Sequence, residues 1–146
     1  MSGEIDVRPA REDDASEVAE LLGHLGYPAS PEEIPARLAR LRARGDAETL
    51  VAVADGRIVG LATVHARDVL HHAHPVVQLT ALVVPPEMRG RGVGRTLVRA
   101  VERWAAARGA DRLVLTTALH RADAPLFYER LGFEHTGRRY ARRISE

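Results

Sequence analysis

Glycines at 90, 92 and 94 alternate with Arg89, Arg91, Val93 and Arg95, and Thr96 follows them. Upstream lies Val76-Val77-Gln78-Leu79-Thr80-Ala81-Leu82-Val83-Val84, a mostly apolar, β-branched run that reads as a buried strand. Downstream, Val93, Leu97, Val98, Val101, Trp104 and Ala105 share one face of a helix. A glycine-rich arginine loop therefore joins the end of a strand to the start of a helix. The first amides of a helix have no intrahelical acceptors and carry the positive end of its dipole, which suits a phosphate. Glycine removes the Cβ that would hold an anion away from the backbone. The chemistry implied is the binding of a diphosphate.

Two common diphosphate loops are excluded by what the segment lacks. A Walker A loop needs Gly-Lys-Ser/Thr, and all 21 basic residues of this chain are arginine. A dinucleotide fingerprint needs glycine or alanine at position 95, after Gly90 and Gly92, and Arg95 stands there. The pattern present is Arg-x-x-Gly-x-Gly at 89, 92 and 94.

The elements that must position this loop follow from the rest of the chain. At 146 residues, one domain spanning 1–146 is expected, with about two-thirds of its unfolded surface buried. The 21 basic residues are balanced by 20 acids, so no broad basic face for nucleic acid is expected. Cysteine is absent, which removes disulfides, thiolate metal sites and a thiol nucleophile. No run approaches membrane-spanning length and the N-terminus lacks an apolar leader, so a cytoplasmic protein is the expectation.

In chain order, residues 5–8 alternate like a short strand, and Ala15, Val18, Leu21, Leu22 and Leu25 have helical spacing up to Gly26. Ser30-Pro31-Glu32-Glu33 is a capping box that opens a second helix, ending near Gly45. Residues 49–54 and 57–64 form a hairpin about Asp55-Gly56. Residues 112–117 read as a strand, Asp123 as a helix cap, and 133–134 and 139–142 as short closing strands. The fold class is α/β: a mixed sheet with helices on both faces and a parallel, right-handed crossover from 76 to 118. Ligands of such sheets sit beyond the carboxyl ends of the strands, where the loop falls.

A second motif, Ala124-Pro125-Leu126-Phe127-Tyr128-Glu129-Arg130-Leu131-Gly132-Phe133, follows the loop after one helix and one strand. Together the two motifs resemble the GNAT superfamily of N-acetyltransferases, and the likeness extends over most of the chain. That resemblance implies a GNAT-like fold in which the strands at about 76–84 and 112–117 splay apart around acetyl-CoA. It also implies acetyl transfer to a primary amine of a small molecule or peptide by direct attack in a ternary complex. A non-catalytic acyl-CoA sensor with the same fold is the alternative.

Carried over by position, the backbone of Leu82 and Val84 would pair with the pantetheine arm. Amides of Arg91, Gly92, Val93, Gly94 and Arg95, with the Thr96 hydroxyl, would hold the pyrophosphate. Gly90 belongs to the same loop, and Arg89 could add a charge-assisted bond. The resemblance makes Tyr128, next to Phe127, the acid that protonates the leaving thiolate, and a backbone amide near Val83 the oxyanion contact. Family members commonly carry Asn near position 121; here His120-Arg121-Ala122-Asp123 stands instead, so either Arg121 or Asp123 substitutes or the contact is absent.

The base is assigned to His74, since imidazole titrates in the useful range. The acceptor pocket is expected near His24, Tyr27, His65 and the loop bearing His71, His72 and His74, with His24, Tyr27 and His72 in contact with the amine. No metal is expected, because those histidines lack a rigid ligand spacing. Neither nucleic acid nor membrane is an expected partner, and the arginines at 138–143 read as decorating a terminal strand at a homodimer edge.

Overall fold

The structure, a computed structural model, describes residues 4–116 and 124–144, and the chain forms two compact units divided after Leu115. The first unit is built on a five-stranded sheet in chain order. Its strands are β1 (Asp6–Pro9), β2 (Ala47–Ala54), β3 (Arg57–Arg67), β4 (Val76–Val83) and β5 (Arg112–Leu115). The first four pair antiparallel, and β5 joins β4 in parallel. The connection from β4 to β5 runs through α3 (Val93–Ala107). Two further helices, α1 (Ala15–Leu25) and α2 (Ile34–Arg44), fill the span between β1 and β2.

Local chemistry explains the boundaries. Each of the first two helices begins with a 3₁₀ turn, at Glu12–Asp14 and Pro31–Glu33, rather than directly as α-helix. At the first turn, Asp14 accepts the Arg11 amide at 2.7 Å and is held by the Arg8 guanidinium at 2.8 and 3.0 Å. At the second, Glu33 accepts the Ser30 amide at 2.9 Å and the Ser30 hydroxyl at 3.2 Å, completing the expected capping box. The β2–β3 hairpin turns on Asp55 and Gly56, both with positive φ (52° and 75°), as a two-residue turn with this strand twist requires.

Helices cover both faces. On one side Val51, Leu61 and Val83 pack with Val18 and Leu21 of α1 and with Ile34 and Leu38 of α2. On the other, the backbone at Gly60 lies so close to α3 that a Cβ there would meet Val93 Cγ1 at 2.7 Å and Leu97 Cδ1 at 2.9 Å. Because neighbouring residues in a strand point to opposite faces, Gly60 seats α3 while Leu61 seats the α1–α2 layer.

The second unit, described by itself, contains α4 (Ala124–Arg130). Its end is a paired-bond helix stop: Phe133 N–H donates to Tyr128 O at 3.1 Å, Gly132 N–H to Glu129 O at 3.0 Å, and Gly132 has φ of 94°. The closing strands expected at 133–134 and 139–142 do not form, and residues 131–144 carry no strand. A strand needs a hydrogen-bonded neighbour, and the like charges of Arg138, Arg139, Arg142 and Arg143 disfavour drawing this run into a ladder. The strand read at 112–117 ends at Leu115; Thr117 lies outside the described residues.

Candidate active site

The site begins where β4 outruns β5. Their parallel pairing covers Val76↔Arg112 to Leu79↔Leu115 and stops there. On its other edge β4 continues against β3, with Ala81 opposite Thr63, Leu82 opposite Ala62 and Val83 opposite Leu61. Residues 80–83 therefore carry the β4 edge beyond its last β5 pair. At the same point the β3–β4 register slips: Val64 faces Leu79 and Thr63 faces Ala81, so Thr80 is the extra residue of a bulge.

Beyond Val83 the chain turns through Pro86–Met88, with Met88 N–H donating to Pro85 O at 2.9 Å. The Arg89 side chain folds back and its Nε donates to Val84 O at 3.3 Å, so part of the hydrogen-bonding capacity of Val84 is already taken. Gly90 and Gly92 have φ of 79° and 84°. A Cβ at either would meet nothing within 4 Å, so the positive φ, rather than crowding, is what this conformation asks of both residues. Gly92 caps α3 with no side-chain bond, and the first helical bond runs from the Thr96 amide to Gly92 O at 3.0 Å. The amides of Val93, Gly94 and Arg95 are thereby left without intrahelical acceptors at the positive end of the dipole.

Val93 and Gly94 are buried against the sheet, whereas Arg91, Gly92 and Arg95 are exposed. Among the described residues neither Arg91 nor Arg95 forms an ion pair. The Thr96 hydroxyl donates to Gly92 O at 2.8 Å, so it meets an incoming anion with its proton already committed. The loop can thus offer a row of aligned backbone donors flanked by two exposed guanidiniums.

Tyr128 is half-buried on α4, edge-on to Phe127 at 5.2 Å and to Phe133 at 5.8 Å between ring centroids. The glycine after the helix lets Phe133 return onto Tyr128, a physical reason for the Leu-Gly-Phe ending of that motif. Arg121 and Asp123 lie outside the described residues. His24 and Tyr27 are exposed at the end of α1. His71 and His72 have ring centroids 4.5 Å apart, His72 is half-buried, and His74 is exposed. No group of three or more potential metal-ligating side chains occurs among the described residues. His65 lies on β3 opposite Gln78.

Sequence reasoning passed over Thr63 and Thr80, whose hydroxyls touch at the bulge. The available signal was Thr80 itself, a polar interruption in an otherwise apolar strand.

Comparison with known proteins bears directly on this arrangement. The model of the acetyltransferase (GNAT) family matches residues 15–133. The chain belongs to that family. An aminoalkylphosphonate N-acetyltransferase of Salmonella typhimurium is 34% identical over 94 residues, covering 64% of this chain and 61% of that protein. The match thus spans about three-fifths of that relative's length. Among solved structures, a Trypanosoma brucei acetyltransferase aligns over 97% of this chain and 100% of its own, with 30% identity and a TM-score of 0.80. An aminoglycoside N-acetyltransferase solved in complex with CoA covers 97% of this chain and 95% of its own, with 26% identity and a TM-score of 0.85. The GNAT-like sheet expected from the two motifs is therefore the fold of this chain.

Proposed function

We propose that this GNAT-family protein transfers an acetyl group from acetyl-CoA to a primary amine of a small molecule or peptide, by direct attack within a ternary complex. The observation that carries the proposal is the strand edge at 80–83, which runs past the last β5 pair and is followed by the loop whose amides at Val93–Arg95 lack intrahelical acceptors. An extended pantetheine arm could pair with such an edge as an added strand, using the backbone of Leu82 and Val84. Its diphosphate would meet the loop amides, with Arg91 and Arg95 beside them. The named acetyltransferase relatives support acetyl transfer, and the CoA complex of a structural neighbour supports the carrier. All of this chemistry is read as residing in one functional domain, 1–146.

In this reading the amine nitrogen attacks the thioester carbonyl, and the resulting oxyanion is held by a backbone amide near Val83. The departing thiolate takes a proton from the Tyr128 phenol. Tyr128 has this role from its place in the second motif. The base is less direct. About 13 Å of strand separates Val76 from Thr80, and His74 precedes Val76. A proton leaving the amine would therefore reach His74 through water.

Two measurements test the proposal together. Acetyl-CoA at about a hundred times its Kd should stabilise the fold by roughly 2.7 kcal/mol, a rise in Tm of several degrees. A panel of primary amines, including an aminoalkylphosphonate and an aminoglycoside, should release free thiol with at least one member. Absence of the thermal shift overturns the carrier assignment. A shift without thiol release from any amine favours the acyl-CoA sensor.

A further inference from the structure

The two threonines at the β4 bulge form an arrangement in which hydrogen-bond counting fixes the direction of both protons. Thr80 Oγ1 donates to the backbone carbonyl of Thr63 at 3.0 Å, an acceptor that cannot donate in return. The Thr80 hydroxyl has one proton, and that bond uses it. Contact between the two hydroxyl oxygens therefore requires Thr63 to be the donor and Thr80 the acceptor. Both protons are consumed within the pair. What remains is one lone pair on Thr80 and two on Thr63, so the exposed side of the pair can accept hydrogen bonds and has none to give.

The position of this patch adds to its chemistry. Thr63 lies two residues along β3 from Leu61 and so shares the face covered by α1 and α2, opposite α3 and the glycine loop. The buried apolar layer there ends at Leu61 and Val83, and the strand pair then turns polar with Thr63 and Thr80, both in an exposed hydrogen-bonded contact. Thr80 is also the first residue of the β4 edge past the last β5 pair. A ligand lying along that edge with its diphosphate at α3 would be approached from the other face across this patch.

We infer that the Thr63–Thr80 hydroxyl pair anchors the nitrogen of the acceptor amine by accepting its N–H bonds. This deepens the acetyl-transfer reading and rests on it. A primary amine has two N–H donors, and a patch that only accepts fits them. Holding the amine through its hydrogens leaves the nitrogen lone pair free to point at the thioester carbonyl. A carboxylate, phosphate or carbonyl offered to the same patch would set acceptor against acceptor, so any acidic group of the substrate must lie away from it.

The test compares the wild type with Thr80→Val, Thr63→Val and Thr80→Ser. Valine keeps the branched shape and suits a strand, so the fold should be retained, and urea unfolding checks this. The probes are acetyl-CoA alone, then 2-aminoethylphosphonate, neamine and a glycine-leading tripeptide, each titrated calorimetrically into CoA-saturated protein. KM and kcat are measured wherever thiol is released. Each valine variant should weaken amine binding and raise its KM about tenfold or more, with kcat falling less. Acetyl-CoA affinity should stay within about twofold, and Thr80→Ser should restore amine binding. Unchanged amine affinity in both valine variants overturns the inference, as does failure of all three amines to bind the CoA-saturated wild type. Failure of acetyl-CoA itself to bind is the separate result that removes the underlying reading and this inference with it.

Discussion

A single methyl group at position 60 would land in the contact that seats α3 on the sheet. A Cβ there lies 2.7 Å from Val93 Cγ1 and 2.9 Å from Leu97 Cδ1, and those side chains are 1% and 0% exposed. Neither has open space to swing into, and ordinary carbon–carbon contact needs about 3.5–4.0 Å. In Gly60→Ala, α3 must therefore move off by up to about 1 Å or its two anchors must adopt strained rotamers. Overpacking of this kind costs about 1–3 kcal/mol. Alanine recovers roughly 0.5–1 kcal/mol over glycine in a strand, leaving up to about 2.5 kcal/mol of net destabilisation, centred on about 1 kcal/mol. Val93 is the first residue of α3, so the same shift misaligns the amides at 93–95. Urea denaturation should show a lower midpoint at unchanged slope, and calorimetry should show acetyl-CoA bound about tenfold more weakly. A variant as stable as the wild type with the same acetyl-CoA affinity would refute the link between this packing contact and the loop.

Other consequences are also measurable. Gly92→Ala places a side chain at φ of 84° and should cost about 1–2 kcal/mol while weakening acetyl-CoA binding, read by Tm with and without ligand. The Arg8 guanidinium holds the Asp14 carboxyl below its ordinary range, against the upward push of burial. That contribution is present above the unfolded pKa and lost as pH falls through the lowered folded value. Asp14→Asn should therefore cost about 1–3 kcal/mol near neutrality and flatten the acid limb of the stability curve, as urea midpoints between pH 2 and 7 would show. Tyr128→Phe should lower turnover and leave the acetyl-CoA thermal shift nearly intact; full turnover with a competent amine would remove Tyr128 as the proton donor.

Much of the fold was legible because its signals are local. The capping box at Ser30–Glu33, the Asp55-Gly56 turn and the helical face from Val93 to Ala105 each sit within a few residues and act through their own backbone. The glycine loop was legible for the same reason, although Gly90 and Gly92 serve φ there rather than space. What escaped depends on partners distant in sequence. The end of the β4–β5 pairing is set by β5 stopping at Leu115 rather than at 117 while β4 continues to Val83, a relation between segments more than thirty residues apart. The bulge at Thr80 carries no glycine or proline to announce it, since threonine is at home in a strand. The short runs at 133–134 and 139–142 have residues compatible with strands, but a ladder needs a partner in register, which composition does not encode.

The backbone amides themselves can report whether they hold the diphosphate. In a ¹⁵N-labelled sample titrated with CoA, the largest amide shifts should fall on Gly92, Val93, Gly94 and Arg95, followed by Leu82 and Val84 past the last β5 pair. Saturable binding whose shifts cluster elsewhere, leaving residues 92–95 unmoved, would contradict that role.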